Sequence, residues 1–260
     1  VMAGCRAEVG GPSGHCQPMT LCFKLANVAV DRMPPHDEIN ARYRAAVARG
    51  DIDCPRENVL IFNWTEPDVI HFNTTRIVKH SAINGRELSE AELIGRRQLR
   101  QYLDFLRREI PGFEQASIHS IAHHIGVRES RRIVGRAKVV REAFTKRQKF
   151  PDAIAKVSYT IDIHNPDGTG TEIEHMPPGE WYEIPYGCIV PADVDNLLVA
   201  GRPISVDHAI HSSMRVMPPV VSIGQAAGMA AAMAVEQGCL PPELDGCAVR
   251  ERLHAAGARL

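Results

Sequence analysis

The chain has 260 residues, 44% hydrophobic and 23% charged, with a formal net charge of −1. That is enough for one large or two modest cores, and it gives no global pull toward nucleic acid or an anionic membrane surface. Two locally basic stretches, residues 96–108 and 128–149, are interrupted or bounded by Glu109, Glu129 and Glu142. They read as solvated helix faces or anion contacts, not as a nucleic-acid footprint.

Seven cysteines, at 5, 16, 22, 54, 188, 239 and 247, contain no CxxC pair. This argues against structural zinc and a thioredoxin-like redox pair. An odd count in a chain of this size also argues against a disulfide scaffold, so reduced thiols and a cytoplasmic location are expected. The longest apolar run, 220–235, is interrupted by Ser222 and Gln225 and is short for a bilayer, so no membrane span is expected.

The chain begins at Val1 without a basic-then-apolar leader, and no strand–GxGxxG–helix pattern occurs in it. The nearest glycine cluster, residues 10–14 (GGPSG), has the wrong spacing and reads as a loop within an irregular stretch 1–18. Residues 19–30 (MTLCFKLANVAV) are strand-like, and Pro34 and Pro35 stop them. A helix is predicted over 37–49 with Gly50 as its C-cap. Residues 59–62 and 69–73 form two strands around a turn at Glu66, Pro67 and Asp68.

Residues 89–92 (SEAE) match a capping box, which predicts the longest helix over about 90–109 with Leu93, Leu99, Leu103 and Leu106 as its buried stripe. Strands are expected at 116–125 and 157–163. A turn at 165–168 (NPDG) and a hairpin-like return through 182–185 follow. Short buried strands are expected at 189–190 and 197–200, then helices over about 223–236 and 248–256. Strands and helices mix without strict βαβ alternation, so the expected fold class is α/β, with a mainly antiparallel α+β region over 1–180.

The most informative stretch is 196–202 (NLLVAGR), followed by 215–219 (RVMPP) and 222–234 (SIGQAAGMAAAMA). A short apolar strand ending in Ala200 and Gly201 allows close approach of backbone to a ligand. Ser222 reads as the N-cap of a helix whose free N–H groups and positive dipole end suit a carbonyl or an anion. Gly224, Ala227, Gly228 and Ala231 give that helix a small face. The same features fit a small-residue helix packed on a sheet without a ligand.

Several motifs in order carry a resemblance. Residues 126–133 (GVRESRRI), 150–155 (FPDAIA), 162–164 (DIH), 184–186 (IPY), 194–202 (VDNLLVAGR) and the helix after Ser222 resemble the FAD-dependent oxidoreductase family, distantly similar to fumarate reductase flavoprotein subunits. The likeness runs over about 117–260, more loosely over 15–30, where 17–20 (QPMT) also fits.

The resemblance implies FAD and a fold with a dinucleotide-binding domain into which a substrate domain is inserted, with 1–180 mainly on the substrate side and 181–260 the C-terminal part of the FAD-binding domain. It places Ser130, Gly201, Arg202, Val216, Met217, Pro218, Ser222, Ile223, Gly224 and Gln225 on the cofactor. The expected reaction passes hydride between a small organic substrate and flavin. Arg128 and Arg215 would bind or polarise the substrate, and His211 or His164 would exchange the proton. The family's Gly-rich loop for the ADP portion has no counterpart, so the chain is expected to be a C-terminal portion. A second reading is a subunit completed by a partner, or a remnant, that lacks its own ADP-binding half.

Other candidates stay open. Arg131 and Arg132 share a strand with alternating faces, so some arginines of 128–132 must be structural. Asp162 and His164 form either a proton-transfer pair or a hydrogen-bonded support for the turn at Asn165. His208 with His211, and His123 with His124, lack a third ligand, so no metal is expected, and His208 or His211 lining the site is preferred. Cys188 has apolar neighbours and reads as inert more readily than as redox-active.

Overall fold

The computed structural model describes residues 2–260; Val1 lies outside the described residues. In chain order the elements are β1 (Ala7–Val9), β2 (Phe23–Ala26), α1 (His36–Ala48), β3 (Ile61–Asn63), β4 (Ile70–Phe72), α2 (Gly85–Glu109), β5 (Ser117–Ile121) and β6 (Arg131–Ile133). They continue with α3 (Arg141–Lys146), β7 (Ala153–Val157), β8 (Ile161–His164), β9 (Thr171–Glu174), β10 (Tyr182–Pro185), α4 (His208–Met214), α5 (Met217–Gln237) and α6 (Gly246–Ala255). Helices and antiparallel sheets make this a mixed α/β fold, as the sequence predicts.

Two compact units divide the chain. One comprises Val1–His15, Glu129–Ile163 and Thr171–Leu260; the other comprises Cys16–Arg128 and His164–Gly170. In the second unit a four-stranded antiparallel sheet has the order β3-β4-β2-β5. Phe23 and Phe72 are partners across β2 and β4, and their rings stack with centroids 4.8 Å apart.

Helix α1 buries Ile39, Tyr43 and Ala46, one stripe at helical spacing, in the same core as α2. The Tyr102 hydroxyl donates to the Tyr43 oxygen at 2.9 Å and Tyr43 OH donates to Arg56 O at 3.1 Å, so both phenols are satisfied inside an apolar core.

The longest helix starts earlier than the sequence predicts. Its N-cap is Asn84, whose side chain accepts from Arg86 N and Glu87 N; Ser89 lies inside the helix and donates to Gly85 O. The capping-box pattern at 89–92 was the weaker of two starts, because Asn84 ahead of a helix-tolerant stretch captures the first N–H groups. Leu99, Leu103 and Leu106 are buried as expected, but Leu93 is 65% exposed and the stripe is completed by Ala91, Tyr102 and Phe105.

In the first unit β7 and β10 pair antiparallel, with Tyr182 opposite Val157 and Ile184 opposite Ala155. Helix α5 packs on β7 through Ile223, Ala226, Ala230 and Met233, and α6 adds Val249 and Leu253 to the same core. The stretch expected to be irregular near the amino terminus contains β1, paired antiparallel with β6 from Ala7 opposite Ile133 to Val9 opposite Arg131. A pairing across more than a hundred residues leaves no local trace.

The hairpin return also differs: β8 pairs with β9, whereas 182–185 pairs with β7. Residues 189–190 belong to or follow a 3-10 turn, Tyr186–Ile189. The run 197–200 is extended without a ladder, half-buried at Leu197, Leu198 and Val199 and exposed at Ala200. Val199 N–H donates to Ile189 O at 2.9 Å, but among the described residues no strand pairs with this run. An apolar pattern makes a strand only where a neighbouring strand accepts its hydrogen bonds.

Helix α5 has 21 residues and is, among the described residues, the helix long and apolar enough to cross a membrane by length and composition, with mean hydropathy 1.3 and a third of the stretch buried. Its buried side is part of the core of its own unit.

Replacing Asn84 by Ala should lower stability by about 1 kcal/mol, because Arg86 N and Glu87 N lose their acceptor. Urea unfolding at constant m-value tests this. Ser89→Ala serves as the comparison and should change the midpoint little; a larger loss at Ser89 would restore the later helix start.

Candidate functional site

The buried centre of the first unit is the carboxylate of Glu129, which is fully enclosed. Its Oε1 accepts from Arg132 Nη1 and from His208 Nδ1, the latter at 2.9 Å. Arg132 is itself buried and donates from Nη2 to Gly10 O at 2.7 Å and from Nε to Val206 O at 3.0 Å. The alternation of β6 produces this arrangement: Arg132 points inward and Arg131 outward.

The GGPSG segment, expected to be a loop, closes on itself with Gly11 N donating to His15 O and Gly14 N to Gly11 O. Gly10 has φ +67, and a Cβ there would meet His15 O at 2.5 Å. A Cβ on Gly11 would come within 3.1 Å of the His208 ring, so the missing side chain makes room for that histidine. These glycines serve the Glu129 network.

Helix α4 begins at the N-cap Asp207, whose carboxylate accepts from Ile210 N and from Arg141 N, both at 2.8 Å. That start fixes His208 against Glu129 and His211 one turn later in the interior. His211 is 1% exposed, and its Nδ1 has no hydrogen-bond partner among the protein atoms. Burial pushes its pKa down to about 3; Glu129 pulls upward, while Arg132, Arg215 and His208 push further down. His211 is therefore neutral near pH 7, which makes it a hydrogen-bonding group and a poor proton carrier.

Arg215 caps the C-terminal end of α4, immediately before Val216, the N-cap of α5. Its Nη2 donates to Asp162 O at 3.4 Å, and Asp162 N donates to Ser212 Oγ at 3.1 Å. Burial lowers the Arg215 pKa, with Asp162 opposing. A cation thus stands beside the positive end of a 21-residue helix.

That end lies one and a half turns before the predicted cap. The helix opens at Met217, and Ser222 sits inside it, donating to Pro218 O at 3.1 Å. Proline at the first turn starts the helix because its missing N–H is not needed there. It also changes the chemistry: of the first four backbone nitrogens, Pro218 and Pro219 have no hydrogen, leaving Val216 and Met217 as donors. Ile223 is fully buried, whereas Gly224 and Gln225 are exposed and Ser222 is intermediate. Gly201 has φ +84, a left-handed conformation that favours glycine, and Arg202 beside it is exposed. Ser130 follows Glu129 and is half-buried.

In the second unit Arg128 is half-buried; its Nη1 donates to Pro18 O at 2.8 Å and to Thr20 Oγ1, and Nη2 to Asn73 Oδ1 at 3.5 Å. It thereby holds the 17–20 run. His164 is buried, with its N–H on Gln17 Oε1 at 3.4 Å and its Nδ1 2.9 Å from Arg76 Nη2. A guanidinium can only donate, so Nδ1 is the acceptor and the neutral ring carries its proton on Nε2. Sequence reasoning did not single out Arg76, Gln17 or Glu129 individually as site groups; buried arginine and glutamine have no local pattern.

All seven cysteines are free, and burial pushes the Cys188 thiol up to about 12, so it is inert. Among the described residues no group of three or more His, Cys, Asp or Glu side chains could hold a metal ion.

The low pKa of His211 links folding to pH. Its folded value lies below the unfolded one, so the unfolded chain binds the extra proton and stability falls as pH drops from about 6.5 toward 3. Between pH 7 and pH 5 this residue should cost about 2 kcal/mol. Urea unfolding of wild type and His211→Gln at both pH values should show the variant losing less by about that amount. Equal losses would place the ring's pKa near its ordinary value.

A family model described as FAD dependent oxidoreductase matches residues 1–253. No curated protein and no solved structure matches significantly. With nearly the whole length covered by that match, the chain belongs to the FAD-dependent oxidoreductase family, whose cofactor is FAD and whose general role is flavin redox chemistry.

Proposed function

We propose that the first unit holds the isoalloxazine end of FAD at the start of α5, and that the protein takes part in hydride transfer between flavin and a small organic substrate. The observation that carries this reading is the juxtaposition of Arg215 with the α5 N-terminus, where Val216 and Met217 offer N–H groups. Anionic or carbonyl groups of a flavin ring suit such a place. A Cβ at Gly224 or at Gly228 would meet nothing within 4 Å, so the helix face beside it is open. The residues present therefore fit this end of the cofactor. FAD, when bound, supplies a two-electron acceptor or donor.

The chain's own groups then have distinct tasks. Arg215, Val216 and Met217 stabilise negative charge, and Gly201, Arg202, Pro218 and Ser130 shape the approach. Ser222, Ile223, Gly224 and Gln225 form the helix body behind that terminus. In the second unit Arg128 orders the 17–20 run, and Arg76 fixes the tautomer of His164. Neutral His211 supports the Arg215 environment. The division of roles at residues 1–180 for substrate and 181–260 for cofactor is part of this proposal, as is a small-molecule substrate.

A fluorescence and absorbance titration with FAD tests the reading. Wild type should bind, and Arg215→Ala should weaken binding about tenfold, or about 1.4 kcal/mol. Unchanged affinity in a folded variant would remove Arg215 from the cofactor.

A second reading, completion by a segment bearing the GxGxxG half, is favoured by two surfaces of the first unit. The run 197–200 lacks a ladder, and α5 presents Met217, Val221 and Val235 to solvent along with Gly224 and Gly228. Under it, the chain alone stays colourless with FAD, and co-expression with such a segment yields a yellow complex. A yellow chain by itself would count against the need for a partner.

A further inference from the structure

Inside the second unit lies a cavity of about 690 Å³, within the size range of small-molecule sites. Val47, Ile52, Pro55, Ile77, Val78 and Ile94 supply its apolar wall, and Arg56, Arg76, Gln98, Cys54 and Thr169 its polar lining. Gly50 and Asp53, both exposed, mark its solvent side.

The two arginines differ in what surrounds them. Arg76, 1% exposed, donates from Nη1 to Glu57 Oε1 at 3.3 Å and Gly170 O at 3.2 Å, and its Nη2 faces His164 Nδ1. Gln98 clamps its backbone, accepting from Arg76 N and donating to Arg76 O, each at 3.0 Å.

Arg56 is 7% exposed, yet it forms no ion pair with any described residue. Its Nε reaches Asn58 Oδ1 at 3.4 Å, and its buried Nη1 has no hydrogen-bond partner among the protein atoms. The backbone here is fixed, with Arg56 N on Cys54 O at 2.8 Å and Tyr43 OH on Arg56 O at 3.1 Å. A buried guanidinium on a fixed backbone with an idle N–H, at the wall of a cavity, is an unfavourable arrangement for folding alone, because no ion pair offsets its burial and Glu57, which also feels its charge, is already bonded to Arg76.

We propose that this cavity binds an organic carboxylate, with Arg56 taking the carboxylate and the apolar wall taking the hydrocarbon part. The fork of a guanidinium matches a carboxylate. The six apolar side chains favour such a ligand over phosphate or sulfate, which have no apolar portion to bury. Glu57 already engages Arg76, so the second arginine's charge is balanced. Asp53, the acidic group of the lining, is solvent-exposed and its repulsion is screened. The inference does not depend on where flavin binds.

Isothermal titration of the full chain with hexanoate, hexanamide and inorganic phosphate tests the proposal without added FAD. Hexanoate should bind about tenfold or more tightly than either of the others. Arg56→Gln should erase the preference for hexanoate over hexanamide, while Arg56→Lys should keep part of it. Equal affinities for hexanoate and hexanamide in wild type would reduce the cavity to an apolar pocket and overturn the charge argument. Phosphate binding as tight as hexanoate would overturn the carboxylate assignment, and no saturable hexanoate binding up to about 10 mM would overturn the site. The wild-type comparison decides the matter even if Arg56→Gln fails to fold.

Discussion

The buried carboxylate of Glu129 is the constraint on which the first unit's site depends. One oxygen of this fully enclosed group serves Arg132 and His208 together. Burying such a charge is unfavourable unless it is paired and hydrogen-bonded, and removing one partner of a buried pair typically costs about 3–5 kcal/mol. Arg132 extends the network to Gly10 and Val206, so three segments distant in sequence are tied at one point. Asp207 starts α4, His208 ties that start to Glu129, and the helix carries His211 and Arg215.

That dependence explains which parts of the fold were legible in the sequence. Elements governed by local rules were: α1 over nearly its predicted span, the antiparallel pair β3 and β4, and an alternation along 128–132 that leaves some of its arginines structural. Elements governed by distant partners were not. β1 pairs with β6, and 182–185 pairs with β7 instead of closing the hairpin after 165–168. The 197–200 run has a strand's composition and no strand beside it. Helix starts failed differently. Ser89 and Ser222 each look like caps, but both donate to the carbonyl four residues earlier, because Asn84 in one case and the two prolines in the other had already started the helix.

The candidate site was legible as a set of segments and less so as chemistry. Residues 196–235 were identified by order and spacing, and the family match agrees with that identification. The protonation states were not accessible in the same way. His211 or His164 was expected to exchange the proton; burial leaves His211 neutral, and Arg76 Nη2 occupies Nδ1 of His164. Burial is the larger cause at His211, with Arg132 and Arg215 adding to it, and Arg76 fixes the tautomer at His164. Histidine function is decided by such neighbours, which a pattern of residue types does not report.

The relocated start of α5 sharpens what the motif means. Had Ser222 been the cap, four consecutive free N–H groups, Ser222 to Gln225, would have made a general anion site. With prolines at 218 and 219, the donors shrink to Val216 and Met217, and the positive charge comes instead from the helix dipole and Arg215. Fewer donors and more diffuse charge favour a planar, partly anionic group over a compact phosphate, which wants several N–H groups converging on it. The same prolines that start the helix early thus also set which backbone N–H groups its terminus can offer.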